Sequence, residues 1–82
     1  DMMVEGDVQY IEEIIAWLEV NVGSRDVNYQ HPMRIYGEGW SMIRQLRDPI
    51  ERRFTRQRFT HYRYDVDIDD RDQEILFAMR WS

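Results

Sequence analysis

The stretch Thr60 to Ile68, THYRYDVDI, decides the fold, because mostly apolar or aromatic side chains alternate in it with charged ones. Such alternation is typical of a β-strand with one face in the core and the other turned outward. We therefore predict that the even-numbered side chains face the core: Thr60, Tyr62, Tyr64, Val66 and Ile68. His61 and Arg63 then lie on the outer face of a sheet.

The stretch Ile75 to Trp81 repeats this alternation, with apolar side chains at Ile75, Phe77, Met79 and Trp81. We predict a second strand here, joined to the first by a hairpin loop over residues 70–72. In that register the inner cross-strand pairs are all apolar or aromatic. On the outer face Arg63 lies opposite Arg80.

Upstream, residues 7–22 carry apolar side chains at helical spacing: Val8, Ile11, Ile14, Ile15, Leu18 and Val22. This pattern predicts an amphipathic helix that covers the sheet. Asp7 can cap its first turn, and Gly23 is expected to end it in a left-handed conformation.

Residues 33–46 predict a second hairpin, with strands at 33–36 and 40–46 and a turn at 37–39. Gly37 and Gly39 are expected to supply the positive φ angles of that turn. Asp48 and Pro49 favour at most one or two helical turns at 48–54.

The prediction is a single α+β domain over residues 1–82, ordered α-β-β-β-β, with the N-terminal helix on one face of an antiparallel sheet of about four strands.

The composition restricts the class of protein. The chain has 82 residues and no Cys, so disulfides and Cys-type zinc sites are excluded. No apolar run reaches the roughly 20 residues that a membrane span needs. We expect a cytoplasmic protein without membrane contact, whose thin core favours recognition by a surface patch over a deep pocket.

The outer sheet face is the first candidate binding surface. Arg63 opposite Arg80 would be destabilising unless an anion or an acidic partner lay between them. Phe59 and His61 lie on the same predicted face, and Arg56 and Arg58 precede it. The alternative is that Asp65 or a neighbouring strand neutralises these arginines.

The helix offers a second candidate, since Tyr10 and Trp17 are two turns apart and lie off its main apolar stripe. Aromatic side chains on an otherwise acidic face are typical anchors of protein interfaces. Alternatively, a broad sheet wraps around the helix and buries both rings.

Residues 44–63 suggest a different function, because arginines alternate there with Phe54, Phe59 and Tyr62. Arginine beside aromatic rings is how single-stranded nucleic acid is commonly bound. The strand parity weakens this interpretation, because it commits Tyr62 and Tyr64 to the core.

Catalytic and metal-binding groups are few. No residue pattern pairs a nucleophile with a base, and a metal-independent ribonuclease would have to be assembled from His61, Arg63 and either Glu38 or His31. The acidic run that begins at Asp65 opens like a calcium-binding EF-hand loop but lacks the later Gly and Glu. We predict no enzyme, no metal and no cofactor.

The leading hypothesis is a non-catalytic protein-binding module that uses the outer sheet face, such as a small regulator, an inhibitor or an assembly factor, with a protein partner or a second copy. The motivation is that 13% of the residues are aromatic in a chain too small for a pocket. The alternative is RNA or single-stranded DNA binding through residues 44–63.

Overall fold

The computed structural model describes residues 2–45 and 61–81. Their elements are β1 (Met2–Gly6), α1 (Val8–Asn21), β2 (Arg34–Gly37), β3 (Trp40–Arg44), β4 (Tyr62–Ile68) and α2 (Arg71–Trp81). In these ranges the strands form one antiparallel four-stranded sheet in the order β1-β4-β3-β2. The predicted α+β class, with an N-terminal helix on an antiparallel sheet, is confirmed.

Helix α1 forms where the apolar spacing predicts it. Asp7 caps the helix, its carboxylate accepting a hydrogen bond from the Tyr10 amide at 2.8 Å. The side chains that α1 buries in the core are Ile11, Ile14, Ile15 and Leu18. The expected left-handed stop at Gly23 is wrong, because Gly39 is the one described glycine with positive φ. Gly23 is instead packed so closely on the Glu38 carbonyl that a Cβ would overlap it.

The hairpin of β2 and β3 is confirmed, with a tight turn at Glu38 and Gly39. Gly39 has φ +81°, as the turn requires. Gly37 has a different role from the one predicted, because the Trp40 indole lies where its Cβ would be. That indole is buried and donates a hydrogen bond to the Gly23 carbonyl at 2.7 Å, which joins the hairpin to the end of α1.

Strand β4 lies in the interior of the sheet, paired with β1 on one side and β3 on the other. The predicted parity is confirmed for the described part of this stretch. Val66 and Ile68 are buried, and Tyr62 and Tyr64 pack against the same core. Arg63 and Asp65 lie on the opposite face, called the outer face below.

The predicted C-terminal strand is wrong, because residues 71–81 form helix α2. The Asp70 carboxylate accepts hydrogen bonds from the amides of Asp72 and Gln73, at 2.8 and 3.2 Å, and so caps the helix where a hairpin loop was expected. Acidic Asp72 and Glu74 in the first turn and Arg80 in the last suit the helix dipole.

The predicted order α-β-β-β-β is therefore also wrong. The described elements follow the order β-α-β-β-β-α, because Met2–Gly6 forms a strand before α1. β1 occupies the side of β4 that was assigned to residues 75–81. The helical turn predicted at 48–54 lies outside the described residues.

Both helices of the described chain pack side by side on one face of the sheet. Phe77 of α2 is fully buried in the same core cluster as α1 and the strands. Tyr10 near the start of α1 contacts Trp81 at the end of α2. The Asn21 carbonyl at the end of α1 accepts a hydrogen bond from the Gln73 side chain at the start of α2. The two helices therefore run antiparallel.

Candidate functional site

On the outer face, the charges at the start of β4 are compensated within the chain. Glu5 of β1 lies directly opposite Arg63, with its Oε2 3.6 Å from the guanidinium Nη2. Its Oε1 is 2.8 Å from Nε2 of His61. The predicted opposition of Arg63 and Arg80 is wrong, and the argument for an anion between them fails. A neighbouring strand supplies the neutralising carboxylate, which is the alternative considered for these residues.

Arg80 lies on α2, across the sheet from Arg63. Its guanidinium carbon is 3.9 Å from the centre of the Trp81 ring, a cation–π contact. Phe59, Arg56 and Arg58, also predicted for the partner surface, lie outside the described residues.

Tyr10 and Trp17 contact the C-terminal helix. The Tyr10 ring meets Trp81 edge-on with ring centres 5.5 Å apart, and Trp17 meets Phe77 at 5.7 Å. Both rings are partly buried against the core. Trp17 and Arg80 also border an open groove of about 470 Å³ between the helices. Helix α2, for which the sequence predicts a strand, therefore packs against both rings and covers them.

The described ends of the 44–63 segment are engaged in the fold. The Arg44 guanidinium lies 4.7 Å from the centre of the Tyr62 ring. Burial raises the pKa of the neighbouring Tyr64 phenol above its usual 10.0, while the charge of Arg44 acts in the opposite direction. Tyr62 and Tyr64 belong to the core edge rather than to an open stacking surface.

Helix α2 presents an exposed apolar stripe. The exposed fractions of Ile75, Leu76 and Met79 are 50%, 55% and 75%. These residues are one turn apart or adjacent, so they share one side of the helix. Asp72 and Arg80 lie four residues before and after Leu76 on that side. We call these five residues the α2 stripe.

A second cluster lies along the edge strand β2, where the loop after α1 folds back against the sheet. Isolated bridges pair Arg25 with Gly37 and His31 with Arg34. The Asp26 amide donates to the Tyr36 carbonyl at 2.9 Å. The loop therefore holds the segment between its two bridges beside β2.

That segment forms an aromatic group with two arginines beside it. Tyr29 stacks on His31, with ring centres 6.4 Å apart and planes at 15°, and meets Tyr36 edge-on at 4.7 Å. Arg25 and Arg34 line, with Tyr29 and His31, an open cavity of about 440 Å³. We call these residues the β2-edge pocket: Arg25, Tyr29, His31, Arg34 and Tyr36. Its aromatic and basic residues were not singled out from the sequence as a group.

Across the described ranges, 2–45 and 61–81, no three His, Asp or Glu side chains converge as metal ligands. Asp65 and Asp67 project from the outer face of β4, and Asp70 is used as a helix cap. The two described helices are too short or too polar to cross a bilayer.

Comparison with protein-family models, with curated proteins and with solved structures finds no match to this chain. What the sites can do follows from their own residues.

Proposed function

We propose that this protein is a non-catalytic protein-binding module that forms a homodimer through the α2 stripe. The observation that carries the proposal is the exposure of Ile75, Leu76 and Met79 together on one side of α2. Isolated apolar side chains are ordinary on a protein surface, but a contiguous group on one element is typical of an interaction site.

The charges of the stripe favour a second copy as the partner. Asp72 and Arg80 lie about 6 Å on either side of Leu76 along the helix axis, at 1.5 Å per residue. A twofold axis through Leu76 would place Asp72 of each chain against Arg80 of the other. Such a stripe is self-complementary, which is the requirement for a symmetric dimer.

The size of the α2 stripe sets the expected affinity of the dimer. α2 has 11 residues, so it spans about 16 Å. A contact of one helix with one helix lies at the low end of specific interface areas. We expect a dimer that forms reversibly as the protein concentration rises.

Light scattering during size-exclusion chromatography, at low and high protein concentration, tests the proposal. Leu76→Glu should remove the dimer, because it places two like charges on the twofold axis. Val27→Glu is the matched control, since Val27 is 72% exposed in the loop between α1 and β2 and is not part of the α2 stripe. A wild-type chain that stays monomeric throughout, or a Leu76→Glu variant that still dimerises, would contradict the proposal.

The predicted use of the outer sheet face has less support, because Glu5 compensates both His61 and Arg63. RNA or single-stranded DNA binding through residues 44–63 stays a prediction. Most of that segment lies outside the described residues.

A further inference from the structure

We propose that the β2-edge pocket binds a nucleotide unit, with its base against Tyr29 and His31 and its phosphate between Arg25 and Arg34. This site lies on the edge strand and is separate from the α2 stripe. It also differs from the 44–63 segment, because all five of its residues precede β3.

The aromatic part of the pocket is held in place by the fold. The His31 Nδ1 accepts a hydrogen bond from the Met33 amide at 3.1 Å, which fixes the ring orientation. Since Nδ1 is the acceptor, neutral His31 carries its proton on Nε2, where it can be donated to a ligand. Tyr29 packs between His31 and Tyr36 and keeps 38% of its surface exposed. A preformed aromatic group of this kind suits a flat base, which any nucleotide supplies.

The basic part of the pocket has charge left for an anion. Neither Arg25 nor Arg34 forms an ion pair with a carboxylate of the described residues, in contrast to Arg63 on the outer face. The hydroxyl of Tyr36 is 3.5 Å from the Arg34 guanidinium, and the Asp26 carboxylate accepts from the Asn28 amide. A guanidinium binds phosphate by paired, charge-assisted hydrogen bonds.

The dimensions fit one nucleotide unit. A cavity of about 440 Å³ lies within the usual range for small-ligand sites of about 300–1,000 Å³. The cavity is open at its rim, so a chain could continue from it. The unit can therefore come from a free mononucleotide or from a single strand of RNA or DNA.

The test is an NMR titration of the full chain, in which amide shifts report the site and the integrity of the fold together. The separate ligands are AMP, UMP, an oligouridylate of about eight nucleotides, inorganic phosphate and an acidic peptide. We expect a nucleotide ligand to move the amide signals of residues 25–36. Saturation by AMP or UMP identifies a mononucleotide site, and saturation by the oligonucleotide alone identifies a single-strand site.

Variants separate the two parts of the pocket. Tyr29→Ala and Arg34→Gln should each weaken binding about tenfold, which corresponds to the loss of one base stack or one phosphate contact. Tyr29→Phe keeps the ring and should bind like wild type. Arg71→Gln is the control for charge alone, because Arg71 is exposed at the start of α2.

The proposal is overturned if neither nucleotide form shifts residues 25–36, or if Arg71→Gln weakens binding as much as Arg34→Gln. It is also overturned if the acidic peptide binds as tightly as the nucleotide ligands. The last result would show a general anion site in which the aromatic rings have no part.

Discussion

At the scale of single residues, the fold depends on close packing at Gly37. The Trp40 indole lies over the Gly37 Cα and reaches the Gly23 carbonyl, so three separate parts of the chain meet at one side chain. A methyl group at position 37 has no room unless the indole moves. The requirement for glycine is one of space, since the backbone there does not adopt positive φ.

Gly37→Ala should therefore lower the free energy of unfolding by about 1–3 kcal/mol, the usual cost of overpacking. Urea denaturation measures the loss. Ser41→Ala on the outer face of the same hairpin is the control and should change stability by less than about 0.5 kcal/mol. Equal effects of the two substitutions would show that Gly37 is not a packing constraint.

Ionisation of the Tyr64 phenol makes the free energy of unfolding depend on pH in the alkaline range. Burial is the main reason that its pKa is raised above 10.0, so the folded chain keeps the phenol proton at a pH where the unfolded chain has lost it. The resulting stabilisation is fully present below the unfolded pKa and is lost as the pH rises through the folded pKa.

Tyr64→Phe should consequently flatten the fall in stability above pH 10.0, because Phe has no proton to release. The measurement is the urea midpoint of both proteins at neutral pH and in alkaline buffer. What matters is the difference in slope, since the loss of the hydroxyl also shifts stability at neutral pH. A variant that loses stability as steeply as wild type would show that other groups cause the alkaline transition.

At the scale of elements, the sequence predicts well wherever one periodicity dominates. α1 follows from its apolar spacing, the turn of the β2–β3 hairpin from Gly39, and the inward side of β4 from alternation. The last element is ambiguous by itself, because its apolar residues recur at both strand and helix spacing. Phe77, Met79 and Trp81 follow one another at a spacing of two, as in a strand, whereas Phe77 and Trp81 are four apart, as on one side of a helix.

Tertiary contacts decide between the strand and the helix pattern of residues 71–81. β4 has two sides for strand pairing, and β1 and β3 take both, so residues 71–81 have no free side of β4 to join. Met2–Gly6 shows no strict alternation of apolar and polar side chains, because Met2, Met3 and Val4 are consecutive apolar residues, so its sequence does not predict a strand. Because β1 rather than residues 75–81 pairs with this side of β4, Glu5 lies opposite Arg63 in place of Arg80, and this changes the electrostatics of the outer face.

The β2-edge pocket could not be predicted from the sequence for a related reason. Its loop has no periodic pattern of residues, and the pocket residues come together through the bridges to β2.

Substitution of Phe77 tests how strongly α2 is attached to the core. It is fully buried and contacts Trp17, whereas most other apolar side chains of α2 are exposed or partly buried. Phe77→Ala should cost about 3–5 kcal/mol, the range for removing a buried Phe. Met79→Ala on the same helix is 75% exposed in wild type and should cost less than about 0.5 kcal/mol. The comparison uses urea denaturation at low protein concentration, and a small effect of Phe77→Ala would contradict the packing of α2 on the core.

At the scale of the whole molecule, the fold divides its surface into regions of different character. The two described helices cover one face of the sheet, and the α2 stripe lies on the solvent side of that layer. The β2-edge pocket lies beside the strand at the far end of the sheet order from β1. Binding at one region therefore leaves the other accessible, so a dimer would carry two nucleotide pockets.

The symmetry of the proposed dimer can be tested by exchanging charges. Asp72→Arg places two arginines against each other at both ends of the interface, and Arg80→Asp does the same with two aspartates. Each single variant should weaken the dimer by roughly two- to tenfold, the scale of exposed ion pairs. The double variant restores opposite charges across the twofold axis and should recover most of the affinity.

Sedimentation equilibrium of the four proteins measures these affinities, and circular dichroism shows whether α2 remains helical. Recovery in the double variant after weakening in both single variants indicates that Asp72 of one chain faces Arg80 of the other, because a general effect of net charge would move the two single variants in opposite directions from the wild-type value of −5. If both single variants weaken the dimer and the double variant weakens it further, the two residues do not meet across a twofold axis. The α2 stripe would then have to pair in another register, with a different residue at its centre.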